Sequence, residues 1–220
     1  MQKYQRPALV IVDMQRYYLD ESSAFHRYST YKNPASMKYI SRRCHEVVIP
    51  NIQKLLKHFR QYRLPVVFLK LCSSIEDRSD LHSMFRKTNE VALLEGFFNV
   101  YPLLTDPMAD VIPEFETRDS DIIIQKTTFS PFTRTSIKEI LKKNEIESLY
   151  FTGLATSQCV DTTARDASEH GFTVVHVIDA QADYDEYSHN ASLYGSIGVC
   201  GGLIYSTKEV LESDNKLLTL

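Results

Sequence analysis

The chain has 220 residues, 43% of them hydrophobic and 24% charged, with a formal net charge of −3. This length supplies one large α/β domain and is too short for two comfortable ones, so residues 1–220 read as a single domain. The slight acidity and the absence of long basic runs argue against a nucleic-acid partner, and no apolar stretch approaches the roughly 18 residues of a membrane span.

Met1 to Pro7 leads straight into a strand, with no signal-peptide apolar region. Cys44, Cys72, Cys159 and Cys200 lie far apart with no CxxC pair, the pattern of reduced thiols in a soluble, cytoplasmic protein. The first strand is Ala8 to Val12. A helix is expected from Glu46 to Arg63, with Val47, Ile52, Leu55, Leu56 and Phe59 at helical spacing. Leu64-Pro65 ends it, and Val66 to Leu71 is the second strand. Asp121 to Gln125 is the third, followed by a helix from about Thr133 to Lys143. Leu149 to Thr152 is the fourth strand, and a helix beyond Cys159 ends near Gly171. Thr173 to Ile178 and Leu203 to Tyr205 complete the set, with a last helix from Thr207 to Ser213. Asp20 to Cys44 and Ser73 to Asp119 are less regular and read as lid or interface segments.

The strands are continuously apolar, as in sheets covered on both faces. Their alternation with helices predicts an α/β fold with a doubly wound, mainly parallel six-stranded sheet. No GxGxxG or GxxxxGK[ST] follows a strand, so a dinucleotide or P-loop site is not supported and no cofactor is expected.

Ligands of such sheets bind beyond the carboxyl ends of the strands. Asp13, Lys126 and Cys159 follow the first, third and fourth strands. Cys159 falls where a tight turn, Gly153 to Ser157, passes into a helix, and the unpaired N–H groups there favour a thiolate. An acid, a cation and a soft nucleophile in one crevice suit acyl transfer: Asp13 takes and returns a proton, and Lys126 orients it and lowers the thiol pKa.

The segments Ala8-Leu-Val-Ile-Val-Asp-Met-Gln15, Gln125-Lys-Thr-Thr-Phe-Ser-Pro-Phe132, Gly153-Leu-Ala-Thr-Ser-Gln-Cys-Val160 and Thr163-Ala-Arg-Asp-Ala167 carry a resemblance. They are similar to the isochorismatase-like cysteine hydrolases, which include ureidoacrylate, biuret and N-carbamoylsarcosine amidohydrolases, nicotinamidases and isochorismatase. The resemblance runs from residue 8 to about 212. It implies a catalytic triad at Asp13, Lys126 and Cys159. It also implies a cis peptide between Leu154 and Ala155 that turns the Ala155 N–H beside that of Cys159 to form an oxyanion hole, and a homo-oligomer. Tyr18 matches an aromatic that lines the family's pocket, and Phe129 and Phe132 are further candidate walls, with Phe25 or Tyr28 excluding water.

Metal-binding nicotinamidases carry Asp-x-His with a second His soon after. Here Asp80-Leu-His82 has no such companion before His170, so no metal is expected. The intact triad favours cleavage of a C–N bond in a small amide, ureide or carbamoyl substrate through a covalent acyl-enzyme. The alternatives are vinyl-ether hydrolysis by Asp13 with the cysteine idle, and a non-catalytic ligand-binding protein.

Overall fold

A computed structural model describes residues 6–200 and 202–217. Residues 1–5, read above as leading into the first strand, and 218–220 lie outside the described residues.

Six strands form one parallel sheet: β1 (Pro7–Val12), β2 (Val66–Leu71), β3 (Ile122–Lys126), β4 (Ser148–Leu154), β5 (Thr173–Ala182) and β6 (Leu203–Tyr205), in the order β3-β2-β1-β4-β5-β6. Val10 pairs with Val67 on one side and Phe151 on the other. Every residue of β2 and β4 is buried, so both sheet faces are covered. The chain starts in the middle of the sheet, winds outward to β3, and returns to lay β4 against the other side of β1. Strand order therefore reverses between β1 and β4, which opens a crevice beyond their carboxyl ends.

The helices are α1 (Arg16–Leu19), α2 (Ala24–Lys32), α3 (Pro34–Arg43), α4 (Ile49–Gln61), α5 (Ser83–Leu94), α6 (Ile137–Lys143), α7 (Asp161–Glu169), α8 (Glu186–Cys200) and α9 (Thr207–Leu217). Several of these depart from the expected layout, among them α5, which lies within the Ser73 to Asp119 stretch read above as irregular. Asp20 to Cys44 is largely helical: Ser23 caps α2 by accepting the His26 N–H, and Asn33 caps α3 with Pro34 in its first turn. α3 runs without a break into α4 through a widened π turn at Cys44–Val48. Pro50 explains the widening, because its ring would clash with a carbonyl four residues back and it offers no N–H to the α ladder. A further departure is α8, fifteen residues that carried no expected element.

β5 continues past Ile178 to Ala182 through an irregularity. Phe151 faces His176 and Gly153 faces Gln181, so β4 advances two residues where β5 advances five. The carbonyls freed there find partners: Arg43 donates to the Ile178 and Gln181 oxygens, and Asn51 to that of Asp179. No helix among the described residues is long and apolar enough to cross a membrane.

Candidate active site

Asp13 is the first residue past β1, and its backbone takes a left-handed φ of 51°, a conformation that costs a non-glycine residue free energy. Gln15 anchors the bend that follows. Its amide donates to the Leu71 and Ala109 carbonyls and accepts the Leu71 N–H, tying the ends of β1 and β2 together. Lys126 is the last residue of β3, one place inside the strand rather than beyond it. Its ammonium reaches past β2 to Asp13 Oδ2 at 2.7 Å, the Thr128 carbonyl at 3.2 Å and Cys159 Sγ at 3.3 Å. All three chemistry-bearing residues are at most 1% exposed. The structure thus brings Asp13, Lys126 and Cys159 into one cluster at the switch point.

Cys159 stands in a π turn, Thr156–Val160, that precedes α7, so it is not within a regular helical first turn. Gly153 permits the approach to that turn. Its φ is +98°, and a Cβ there would lie 2.1 Å from the Val12 carbonyl oxygen. The Leu154–Ala155 peptide is trans, as is every described peptide bond, which corrects the expected cis turn. Trans is the lower-energy form of a non-proline peptide, and the chain reverses instead through Gly153 and the wide turn after Ala155.

The charge state of the cluster also corrects the expected thiolate. Burial, reinforced by the Asp13 carboxylate, pushes the Cys159 thiol well above its ordinary value against the pull of Lys126. Burial raises the Asp13 carboxyl above 3.8, with Lys126 opposing. For Lys126, burial works against the charge, but Asp13 and Cys159 outweigh it and the ammonium is held above 10.5. The resting cluster is therefore an ammonium, a carboxylate and a neutral thiol, with no net charge. Asp13 Oδ1 is buried with no partner at ordinary hydrogen-bond geometry, while the nearby Cys159 thiol and Leu71 backbone still act to lower the carboxyl's pKa.

A cavity of about 600 Å³ reaches the cysteine turn, although Asp13, Lys126 and Cys159 themselves do not line it. Ser157 and Gln158 of the cysteine turn contribute to its wall, as do Phe25, Tyr101, Phe129 and Tyr184. Phe25 packs on Tyr17, Tyr18 and Tyr101 at ring-centroid distances of 5.3, 4.5 and 5.8 Å, forming an aromatic layer. Tyr28 lines the same cavity. Of the expected substrate walls, Phe129 lines this cavity. Tyr18 is 5% exposed within the aromatic layer. Phe132 stacks on His170 and Phe172 and is not among the cavity residues.

Asp80 is engaged by Ser73 Oγ at 2.5 Å and the Ser74 N–H at 2.8 Å, and His82 caps α5 through Nδ1. Among the described residues no group of three or more His, Cys, Asp or Glu side chains is placed to hold a metal ion. The other cysteines are free thiols. Burial pushes Cys44 up to about 12 and Cys72 up to about 11.

Several residues around the cysteine were not singled out from the sequence. Gln15 was quoted only as part of a motif. Asp183, at the end of β5, accepts the Ser157 N–H at 2.6 Å, and Thr156 Oγ1 lies 2.8 Å from His189 Nδ1 on α8. The Asp183 and His189 contacts depend on how β5 bends and where α8 lands, which no local spacing reveals.

A doubly wound parallel sheet with a buried Cys–Asp–Lys cluster at its switch point defines the class of α/β protein to which the chain is compared. Residues 7–201 match the Isochorismatase domain family, and the chain belongs to that family of hydrolases. It is 33% identical over 144 residues to the uncharacterized isochorismatase family protein YrdC of Bacillus subtilis, covering 66% of this chain and 65% of that protein. It is 36% identical over 87 residues to the ureidoacrylate amidohydrolase RutB of Acinetobacter baylyi, covering 39% of this chain and 35% of RutB. The match therefore spans about two thirds of YrdC and about a third of RutB. Among solved structures, a cysteine hydrolase from Pseudomonas syringae pv. phaseolicola superposes with a TM-score of 0.73 at 22% identity, over 96% of this chain and 97% of that one.

Proposed function

We propose that the protein is a cysteine-dependent hydrolase that cleaves a C–N bond of a small amide, ureide or carbamoyl substrate. The observation that carries this reading is the Lys126 ammonium, 2.7 Å from Asp13 Oδ2 and 3.3 Å from Cys159 Sγ in a fully buried cluster, with the neighbouring Ser157 and Gln158 lining a cavity. The relative named an amidohydrolase supports the same bond type.

In this mechanism Asp13 removes the thiol proton as sulfur attacks the substrate carbonyl carbon. The proton moves within a cluster whose net charge does not change, so the step avoids creating an uncompensated buried ion. The backbone N–H of Cys159 is the proposed oxyanion donor; with the Leu154–Ala155 peptide trans, the Ala155 N–H loses the turn that was expected to bring it alongside. As the tetrahedral intermediate collapses, the C–N bond breaks and Asp13 returns the proton to the departing nitrogen, releasing ammonia or an amine. Water, deprotonated by Asp13, then attacks the thioester carbonyl and restores the free thiol. Tyr18, Phe129 and Phe132 are the proposed substrate-binding side chains. The protein is further proposed to work as a homo-oligomer, for which exposed Tyr187, Tyr194 and Val199 supply apolar surface.

The test is ammonia release from a panel of primary amides, ureides and carbamoyl compounds by wild type and Cys159→Ala. Turnover is expected in the first and a loss of at least about a thousandfold in the second. A Cys159→Ala protein that keeps full activity refutes the cysteine mechanism and points to Asp13 acting alone.

A further inference from the structure

We propose that His189 is a positioning residue for the nucleophile, holding the Cys159 turn from beneath through the hydroxyl of Thr156. The proposal rests on the cysteine-hydrolase reading above and adds a residue that touches none of the reacting atoms.

Thr156 opens the π turn that carries Cys159 and is completely buried. Its Oγ1 is 2.8 Å from His189 Nδ1, and its carbonyl accepts from Ser192 Oγ at 3.3 Å. His189 and Ser192 both belong to α8, so one helix grips the turn at two atoms. The far side of the imidazole, Nε2, lies 3.2 Å from the Arg43 guanidinium. That guanidinium is itself fixed by the Ile178 and Gln181 carbonyls in the irregular part of β5.

The direction of each bond follows from donor chemistry. A guanidinium only donates, so with Arg43 bonded to Nε2 the single ring proton of the neutral imidazole is assigned to Nδ1, with the Ile178 carbonyl also in reach of the ring. Nδ1–H then donates to Thr156 Oγ1. Burial, with Arg43 adding to it and the Ile178 carbonyl opposing, lowers the His189 pKa to about 4, which keeps the ring neutral. The relay Arg43, His189, Thr156 thus pins the start of the turn to β5, while Asp183 holds the next N–H, that of Ser157, at 2.6 Å. Cys159 lies three residues beyond Thr156, and the turn is closed by the Gln158 and Val160 N–H groups on the Ala155 carbonyl. Loosening Thr156 therefore moves the sulfur relative to Lys126 and Asp13. Displacements near 1 Å at a reacting atom cost about a hundredfold in rate.

Three variants separate positioning from simple structural support. His189→Asn keeps an N–H near the Nδ1 position, His189→Gln keeps an amide near Nε2 and loses the Thr156 contact, and His189→Ala loses both. The alanine and glutamine variants are expected to lose about 10- to 100-fold in kcat with little change in KM, and asparagine to recover most of it. Thr156→Val should match His189→Ala, and the double variant should lose no more than either single one.

Melting temperature is recorded for each variant, and iodoacetamide alkylation of Cys159 is followed by mass spectrometry as a readout that needs no substrate. The alanine and glutamine variants are expected to shift the alkylation rate severalfold relative to wild type, and asparagine to restore it. Wild-type kcat and alkylation rate in His189→Ala overturn the proposal, as does an asparagine variant no better than glutamine. If wild type turns over nothing in the amide, ureide and carbamoyl panel, the hydrolase reading fails, and the alkylation series still decides the role of His189.

Discussion

Asp13 combines two costly circumstances: a left-handed backbone at φ 51° and complete burial of a carboxylate. The first aims the side chain back across the sheet end, and the second is offset by the Lys126 ammonium at 2.7 Å. Only one carboxylate oxygen is used by that pair, which leaves Oδ1 to move the proton. Because the working form is the carboxylate and its folded pKa is raised, activity should fall with acidification at a pH above 3.8, the ordinary value. The Lys126 ammonium is held above 10.5, so no alkaline loss is expected through the neutral and mildly basic range. Asp13→Asn cannot accept the proton and should lose about 10²- to 10⁴-fold in turnover. Near-wild-type turnover in that variant, or an acid limb at or below 3.8 in the native enzyme, contradicts the assignment of Asp13 as the base.

Elements place these residues, and the site tolerates little change where elements touch. Gly153→Ala should destabilise the protein by more than about 3 kcal/mol or prevent folding, since it sets a side chain at φ +98° and drives Cβ to 2.1 Å from the Val12 carbonyl. A denaturation midpoint within error of wild type counts against this close approach. The sheet was readable in the sequence because buried parallel strands such as Val66–Leu71 are unbroken apolar runs. The positions of Asp13, Lys126 and Cys159 followed from those strand ends. α8 was not readable, because its pattern is inverted: His189 and Ser196 are buried while Tyr187, Tyr194 and Val199 face outward, and two glycines interrupt it. α2 and α3 did carry signals, in Ser23, Asn33 and Pro34, but their Tyr- and Ser-rich faces hid the helical period. The raised thiol pKa was hidden for a different reason. Helix-end position and a neighbouring cation both favour a thiolate, and only the completed fold shows that burial outweighs them.

At the scale of the whole molecule, α8 is joined to the sheet by two buried imidazoles, and this makes stability depend on pH. His176 on β5 lies 2.8 Å from Ser196 Oγ and accepts from Gln181 at 3.3 Å, while His189 connects Thr156 with Arg43. Burial lowers both pKa values from 6.5 to about 4; for His176 Asp161 and Gln181 pull the other way, and for His189 Arg43 adds to the fall while the Ile178 carbonyl opposes it. Between pH 4 and 6.5 the unfolded chain therefore binds protons that the folded chain refuses. Stability is full above 6.5 and is lost as pH falls towards 4, by up to about 3 kcal/mol for each histidine. The exposed carboxyls with lowered pKa values, Asp20, Asp77, Asp185 and Glu209, begin to weaken the fold only as pH falls through their ordinary values of 3.8 and 4.5, at the acid end of this window and below it. The raised Asp13 pKa acts with the opposite sign, favouring the folded state on acidification and blunting the low end of the slope. Melting temperature should thus fall between pH 6.5 and 4 and hold steady from 6.5 to 8, with His176→Gln showing a shallower slope than wild type. Since both imidazoles fasten the same helix, amide exchange at pH 5 should rise first along α8 and in the Thr156–Val160 turn it supports. Uniform acceleration across the sheet would mean that acid unfolds the domain as one unit and that α8 is not the part released by these two protons.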